Sequence, residues 1–274
     1  MNRSQLLRRL IASRVEADQL LLDLYGNVVA GYSLRYIKAS HAGSNVIMVR
    51  RSSDNEQQAF TPSQITNGAL TTFCGAGDGF VTVWYDQNGS KNLTNSVTTD
   101  QPKIVDSGVL ITENGLPAIS FSSKTLSNSG AFLTGGQAAT IISVEKFTDS
   151  FMYGFGASLT GQRRSLRSAG SVYRLEIGGT GQTTDIATGG HNVSILYNSG
   201  NNFNTTKLRV NTTSEYTFTS SGTINTADGL SLGTSNLGAA GLGVFNIQEF
   251  IIFGVDQSAN FTGIETDIKG YYEI

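Results

Sequence analysis

Apolar and polar residues alternate in two rhythms along this chain. Between residues 4 and 24 there is no glycine or proline, and Leu6, Leu10, Ser13, Ala17, Leu20 and Leu24 return at steps of four and three. That period predicts one helix, capped by Ser4 and ended at Gly26-Asn27. Leu7, Ile11 and Val15 widen its stripe beyond a narrow coiled-coil seam, so it can face partner helices and its own chain together. Beyond residue 28 the period drops to two. Short runs of β-branched and aromatic residues predict strands at 45–51, 80–85, 117–121, 139–145, 150–155, 172–177, 183–187, 192–197, 230–233 and 243–253. Residues 207–210 and 215–218 alternate about the turn 211–214 and predict a hairpin with one wet face. In the last strand Phe245 and Ile247 alternate with Asn246 and Gln248, an edge pattern, before Phe250-Ile251-Ile252-Phe253 reads as central. Two further helices are expected. Pro62 opens a short one to about Phe73, and residues 256–272 form another whose Phe261, Ile264 and Ile268 share a face.

The segment from Phe80 to Asn92 holds the only tryptophan and passes from strand to turn chemistry within a few residues. Asn88-Gly89 favours positive φ, and the Asp86 carboxylate can accept amide hydrogen bonds from the turn. A strand closed in this way puts Trp84 or Tyr85 near a sheet rim, half buried and half available. Read with Tyr32-Ser33-Leu34-Arg35, Val49-Arg50-Arg51-Ser52-Ser53-Asp54-Asn55 and Phe73-Cys74-Gly75, the run Trp84-Tyr85-Asp86-Gln87-Asn88-Gly89 resembles the catalytic-domain family of α-L-arabinofuranosidase B. Gln101-Pro102 and Asn114-Gly115-Leu116-Pro117-Ala118 fit the same pattern. The resemblance covers residues 32–122 and passes into a general laminin-G-like pattern afterwards. It implies a mainly β fold, a concanavalin A-like jelly-roll sandwich over 28–274. Residues 1–27 stand outside it as an N-terminal helix, an anchor or oligomerisation segment, and a short C-terminal helix closes the chain. Similar modules occur on tailed-phage fibres and appendages, so the resemblance implies a fold more firmly than an activity.

Composition narrows the function classes. A chain of 274 residues can bury a large core as one β domain. Net charge is −2 and no basic run exceeds a pair, which leaves no nucleic-acid footprint. Thirty-two glycines against 3 prolines suit short strands joined by glycine turns. Cys74 is alone, so no intrachain disulfide forms. No apolar run is long enough to cross a bilayer, and no signal segment precedes the Asn-x-Ser/Thr triplets, which read as products of an Asn- and Thr-rich chain. The expectation is a protein made in a host cytoplasm without a signal peptide and carried to a virion surface. Its expected partners are other virion proteins through residues 4–24, cell-surface or polysaccharide glycans, and copies of itself, a trimer being favoured.

The family resembled is one of retaining glycosidases, which need two carboxylates about 5–5.5 Å apart. The resemblance puts Glu176, in Val172-Tyr173-Arg174-Leu175-Glu176-Ile177, near the nucleophile's place. The segment matching the acid/base, residues 231–240, contains no carboxylate, and the family's adjacent cysteine pair is absent. A lone glutamate cannot both protonate the leaving group and attack, unless Asp185 or another acid joins it. The expected function is therefore a non-enzymatic structural or carbohydrate-binding virion module, with a retaining arabinofuranosidase-type hydrolase as the alternative. Trp84, Tyr85 and Tyr197 would stack on sugar faces while Asp86 and Asn88 read hydroxyls. No cofactor is expected. Calcium between loop carboxylates, with Asp54, Asp78 or Asp86 contributing, is the only metal in play, because His41 and His191 are too few for a histidine site and His191 reads as a turn residue. The loop 75–79 feeds a strand rather than a helix, so it is no phosphate cradle.

Overall fold

The computed structural model describes residues 19–133, 137–156, 164–177, 180–200, 205–212, 214–220, 227–235 and 243–274. Residues 4–18 of the expected N-terminal helix lie outside these; within them Leu21–Leu24 is helical and Asn27 takes a positive φ of 63°. Antiparallel pairing sorts the strands into two layers. In the first, Val244–Phe253 is central. Ala139–Asp149 pairs along one side of it, followed by His191–Asn198, Thr206–Val210 and Ser214–Thr217. Val28–Ser33 and Ile119–Ser122 share its other side. The second layer runs in the order Gln57–Phe60, Ile47–Arg51, Gly79–Trp84, Leu93–Thr94, Leu126–Leu133, Ala227–Leu232, Phe151–Phe155, Arg164–Ala169, Val172–Ile177 and Thr180–Ala187. Lys103–Asp106 joins the layers by pairing with Gly79–Trp84 and Ile119–Ser122. The fold is thus mainly β and sandwich-like with a short C-terminal helix.

Alternation explains what each layer buries. Ile141, Phe147, Phe250 and Ile252 point inward to meet Tyr153, Leu166, Tyr173 and Leu175 of the facing layer. The intervening Ile142, Val144, Ile251 and Phe253 point the other way, where Phe261, Ile264, Ile268 and Tyr272 of the helix Phe261–Tyr272 cover them, together with Leu21 and Leu22. Each such side chain gains roughly 1.5–3 kcal/mol by leaving water, which is why this strand is apolar on both faces. A buried ion pair fixes the same helix to the N-terminal strand. The Glu249 carboxylate, fully buried, accepts from Ser33 Oγ at 2.8 Å, Arg35 Nε at 2.9 Å and Tyr272 Oη at 3.1 Å. Burial pulls the Arg35 guanidinium down, and Glu249 with Asp267 more than reverses this, leaving it above the ordinary arginine value.

Three sequence expectations are corrected here. The polar positions of the last strand do not mark an edge: Gln248 is fully buried and its amide donates to the carbonyls of Leu116 and Pro117, within the small hairpin Thr112–Pro117 laid over the sheet. The helix opened by Pro62 splits into Pro62–Thr66 and Ala69–Cys74, because Gly68 between them has φ of +92°. His191 opens the strand His191–Asn198 instead of lying in a turn, and its Nε2 faces Gln248 Oε1 at 2.6 Å.

Candidate functional site

The turn after Gly79–Trp84 is a structural clasp. Trp84 is fully buried with its ring 5.8 Å from that of Tyr32, so it presents no face for a sugar. Asp86 is also buried; its carboxylate accepts from the amides of Gly31 at 2.9 Å, Asn88 at 2.9 Å and Lys91 at 3.2 Å. Asn88 is half buried and donates to Val28 O at 2.9 Å. Gln87, which the sequence reading passed over, bonds to the backbone of Ser33, Arg35 and Ile37. The bonds of Asp86 to Gly31, of Asn88 to Val28 and of Gln87 tie the turn to the segment 28–37, while those from the Asn88 and Lys91 amides close it on itself. Tyr85 stays half-exposed. Tyr197 is buried with its ring edge-on to Phe261 at 4.8 Å and its hydroxyl donating to Glu215 at 2.8 Å. The five expected ligand-binding residues therefore do not converge on one surface.

The outer face of the second layer has different chemistry. Directly paired residues on neighbouring strands share a face. One such row runs Met48, Val83, Thr94, Ser127, Ser231, Gly154, Ser165, Glu176, Gly181. Its members from Thr94 to Ser165 are all small, and from Thr94 two depressions open. One, of about 290 Å³, is walled by Arg50, Gln57, Thr82, Asn95 and Gln101; the other, of about 440 Å³, by Ser90, Asn92, Ser127, Asn128 and Ser129. Thr94 lines both, so they form one groove of amide and hydroxyl side chains. The walls are already fixed by bonds to backbone. Asn128 donates to Asn92 O at 2.8 Å, Asn95 to Thr125 O at 2.8 Å, and Gln101 to Asn95 O at 2.9 Å. Side chains held in this way present donors and acceptors without first losing rotamer freedom.

Farther along the row the face is roofed. A side chain at Gly154 would bring Cβ within 1.9 Å of the Ser235 carbonyl oxygen, so only glycine admits the segment Gly233–Ser235 there. Beyond the roof, Glu176 lies between two arginines, its Oε1 3.4 Å from Arg167 Nη1 and 3.2 Å from Arg174 Nε. Its partners in the row, Ser165 and Gly181, carry no carboxyl. Asp185 is exposed on the outermost strand, at an irregularity of the Val172–Ile177 pairing. Asp54 pairs with Arg51, Asp78 with Lys103, and Asp86 with backbone amides, so the three aspartates considered for calcium stand apart. Among the described residues no group of three or more His, Cys, Asp or Glu comes together.

A second polar cluster, unforeseen from sequence, is sealed between the layers. Glu145 points inward from Ala139–Asp149 and accepts from Tyr173 Oη at 2.9 Å; Asn192 in turn donates to Tyr173 Oη at 3.0 Å. No cation partners Glu145 among the described residues. Burial pushes its carboxyl up to about 8, while Ser194, Tyr173 and Ser143 hold it down by less. The two serine hydroxyls bond each other at 2.8 Å, and Oε2 is left without a hydrogen-bond partner. Arg164 is similarly enclosed, and burial brings its guanidinium down to about 10. Strands contributing these groups read as plain core in sequence, because a single polar residue in an apolar alternation does not reveal which way it points.

No protein-family model and no curated protein matches the chain. Solved structures do. A GH54 α-L-arabinofuranosidase soaked with a cyclic sulfate inhibitor superposes with a TM-score of 0.70 at 16% identity, over 88% of this chain and 62% of that one. An arabinofuranosidase complexed with arabinofuranosyl-α-1,2-xylobiose gives 0.67 at 16% identity over the same shares. This chain thus spans less than two thirds of those proteins, and identity this low establishes a shared fold alone.

Proposed function

We propose that this protein is a carbohydrate-binding β-sandwich without hydrolytic activity, and that a glycan lies along the groove centred on Thr94. The observation that carries the reading is the shared groove itself: amide and hydroxyl side chains from separate chain segments face one open channel, with Asn95, Gln101 and Asn128 held by backbone carbonyls. Such side chains suit the alternating donors and acceptors of sugar hydroxyls. Against hydrolysis stands Glu176, engaged by Arg167 and Arg174 with no carboxylate beside it in the row. The setting on a phage virion appendage, with residues 4–24 joining other virion proteins or further copies, extends this reading from the sequence resemblance. The likeness to arabinofuranosidase folds favours retaining hydrolysis as the second reading.

Thr94 offers the test because it is exposed and lies where the two depressions meet. On a glycan array the wild type is expected to show saccharide hits that Thr94→Trp loses, with thermal stability changed little, since surface substitutions usually stay within about 0.5 kcal/mol. Hits that survive Thr94→Trp would move the site elsewhere. Release of nitrophenol from a nitrophenyl arabinofuranoside, abolished by Glu176→Gln, would establish the second reading instead.

A further inference from the structure

The groove contains a cation that no carboxylate among the described residues neutralises. Among the described arginines, Arg35 pairs with Glu249 and Asp267, Arg51 with Asp54 and Glu56, Arg167 and Arg174 with Glu176, and Arg209 with Glu215 and Glu265. Two lack a carboxylate. Arg164 is shut inside the sandwich. Arg50 is 7% exposed and forms part of the groove wall.

The surroundings of Arg50 hold it without discharging it. Nε donates to Gln101 Oε1 at 2.8 Å, Nη1 to Asn55 Oδ1 at 2.7 Å and Nη2 to Thr98 O at 3.2 Å, and the guanidinium lies 4.5 Å above the centre of the Phe80 ring. All three acceptors are neutral. Of the five N–H groups of a guanidinium, two remain, one on each terminal nitrogen. The neighbouring Arg51 takes the adjacent Asp54 carboxylate for itself, through Nε at 2.8 Å and Nη2 at 2.7 Å. A fixed fork with spare donors and no carboxylate partner among the described residues is suited to an oxyanion, and the cost of ordering it is met before binding.

We propose that the groove selects anionic saccharides, a carboxylate or sulfate on one sugar residue being received by Arg50 while Thr94, Asn95 and Asn128 meet the hydroxyls of its neighbours. This rests on the glycan-binding reading and adds the ligand's charge to it. The probes are an oligogalacturonate, its fully methyl-esterified form, and a sulfated cello-oligosaccharide with its unsulfated parent, each titrated calorimetrically into the full chain. At least one acidic probe is expected to bind about ten- to a hundredfold more tightly than its neutral form, the scale of one charge-assisted hydrogen bond. Whichever acid binds identifies carboxylate or sulfate as the anion. Arg50→Gln, its fold checked by an unchanged circular dichroism spectrum, is expected to remove that preference, and Arg50→Lys to restore part of it; a preference that survives Arg50→Gln would overturn the assignment to Arg50. Should Arg50→Gln fail to fold, the wild type suffices: acid binding is expected to weaken with rising salt and ester binding to stay constant. Equal binding of acid and ester would overturn the charge inference and leave glycan binding standing. Binding of no probe in either form, alongside neutral hits on the array, would do the same; no binding anywhere would end both.

Discussion

Trp84→Ala is expected to lower the unfolding free energy by roughly 3–5 kcal/mol, the usual cost of emptying a large aromatic site in a packed core. Trp84 is fully buried in the main core and stacks obliquely on Tyr32, whose hydroxyl donates to the Lys91 carbonyl. The loss should reach both sides of the clasp, because the Asp86 turn and the strand Val28–Ser33 meet there. Denaturant unfolding measures the change. At temperatures where the variant is still folded, saccharide binding is expected to equal that of the wild type, since no groove wall includes Trp84. Full stability with lost binding would return Trp84 to the ligand surface.

The second large effect concerns pH. The Glu145 carboxyl titrates near 8 when folded, against 4.5 in a free chain. Between those values the unfolded chain has released the proton and the folded one keeps it, so unfolding gains as pH rises. Stability is therefore complete below pH 4.5, falls from there to about pH 8, and the total decline is on the order of 5 kcal/mol. Glu145→Gln keeps an acceptor for Tyr173 Oη and carries no proton to lose. The variant is expected to show a flattened profile over that range and a stability at pH 7 roughly 3 kcal/mol above the wild type. Thermal unfolding at half-unit pH steps decides it; parallel profiles for the two proteins would mean that Glu145 is solvated.

Much of the sandwich was legible because its strands carry apolar alternation, as in 139–145, 172–177 and 243–253. Leu126–Leu133 was not, since Ser-Asn-Ser-Gly in its middle is turn chemistry and only pairing with Ala227–Leu232 draws it out as a strand. The orientation of Trp84 was hidden for a related reason. Strict alternation places Val81 and Trp84 on opposite faces, yet the pairing with Ile47–Arg51 shifts register between Met48 and Val49, opposite Thr82. That bulge turns Trp84 inward beside Val81 and leaves Thr82 and Val83 both on the groove. The groove itself had no local signature. Thr94, Ser127 and Asn128 are ordinary turn-type residues until strands distant in sequence bring them side by side. Arg50, Arg51 and Asp54 stand in one short run, and nothing in that run shows that Arg51 takes Asp54 and leaves Arg50 to neutral acceptors.

The most direct measurement is a crystal structure of the wild-type protein soaked with the tightest-binding oligosaccharide from the array. The expected result is an intact saccharide on the outer face of the second layer, passing over Thr94 between Gln57 and Asn128 with an acidic group at Arg50. A saccharide seated at the Trp84–Gly89 turn, or one cleaved beside Glu176, would contradict it.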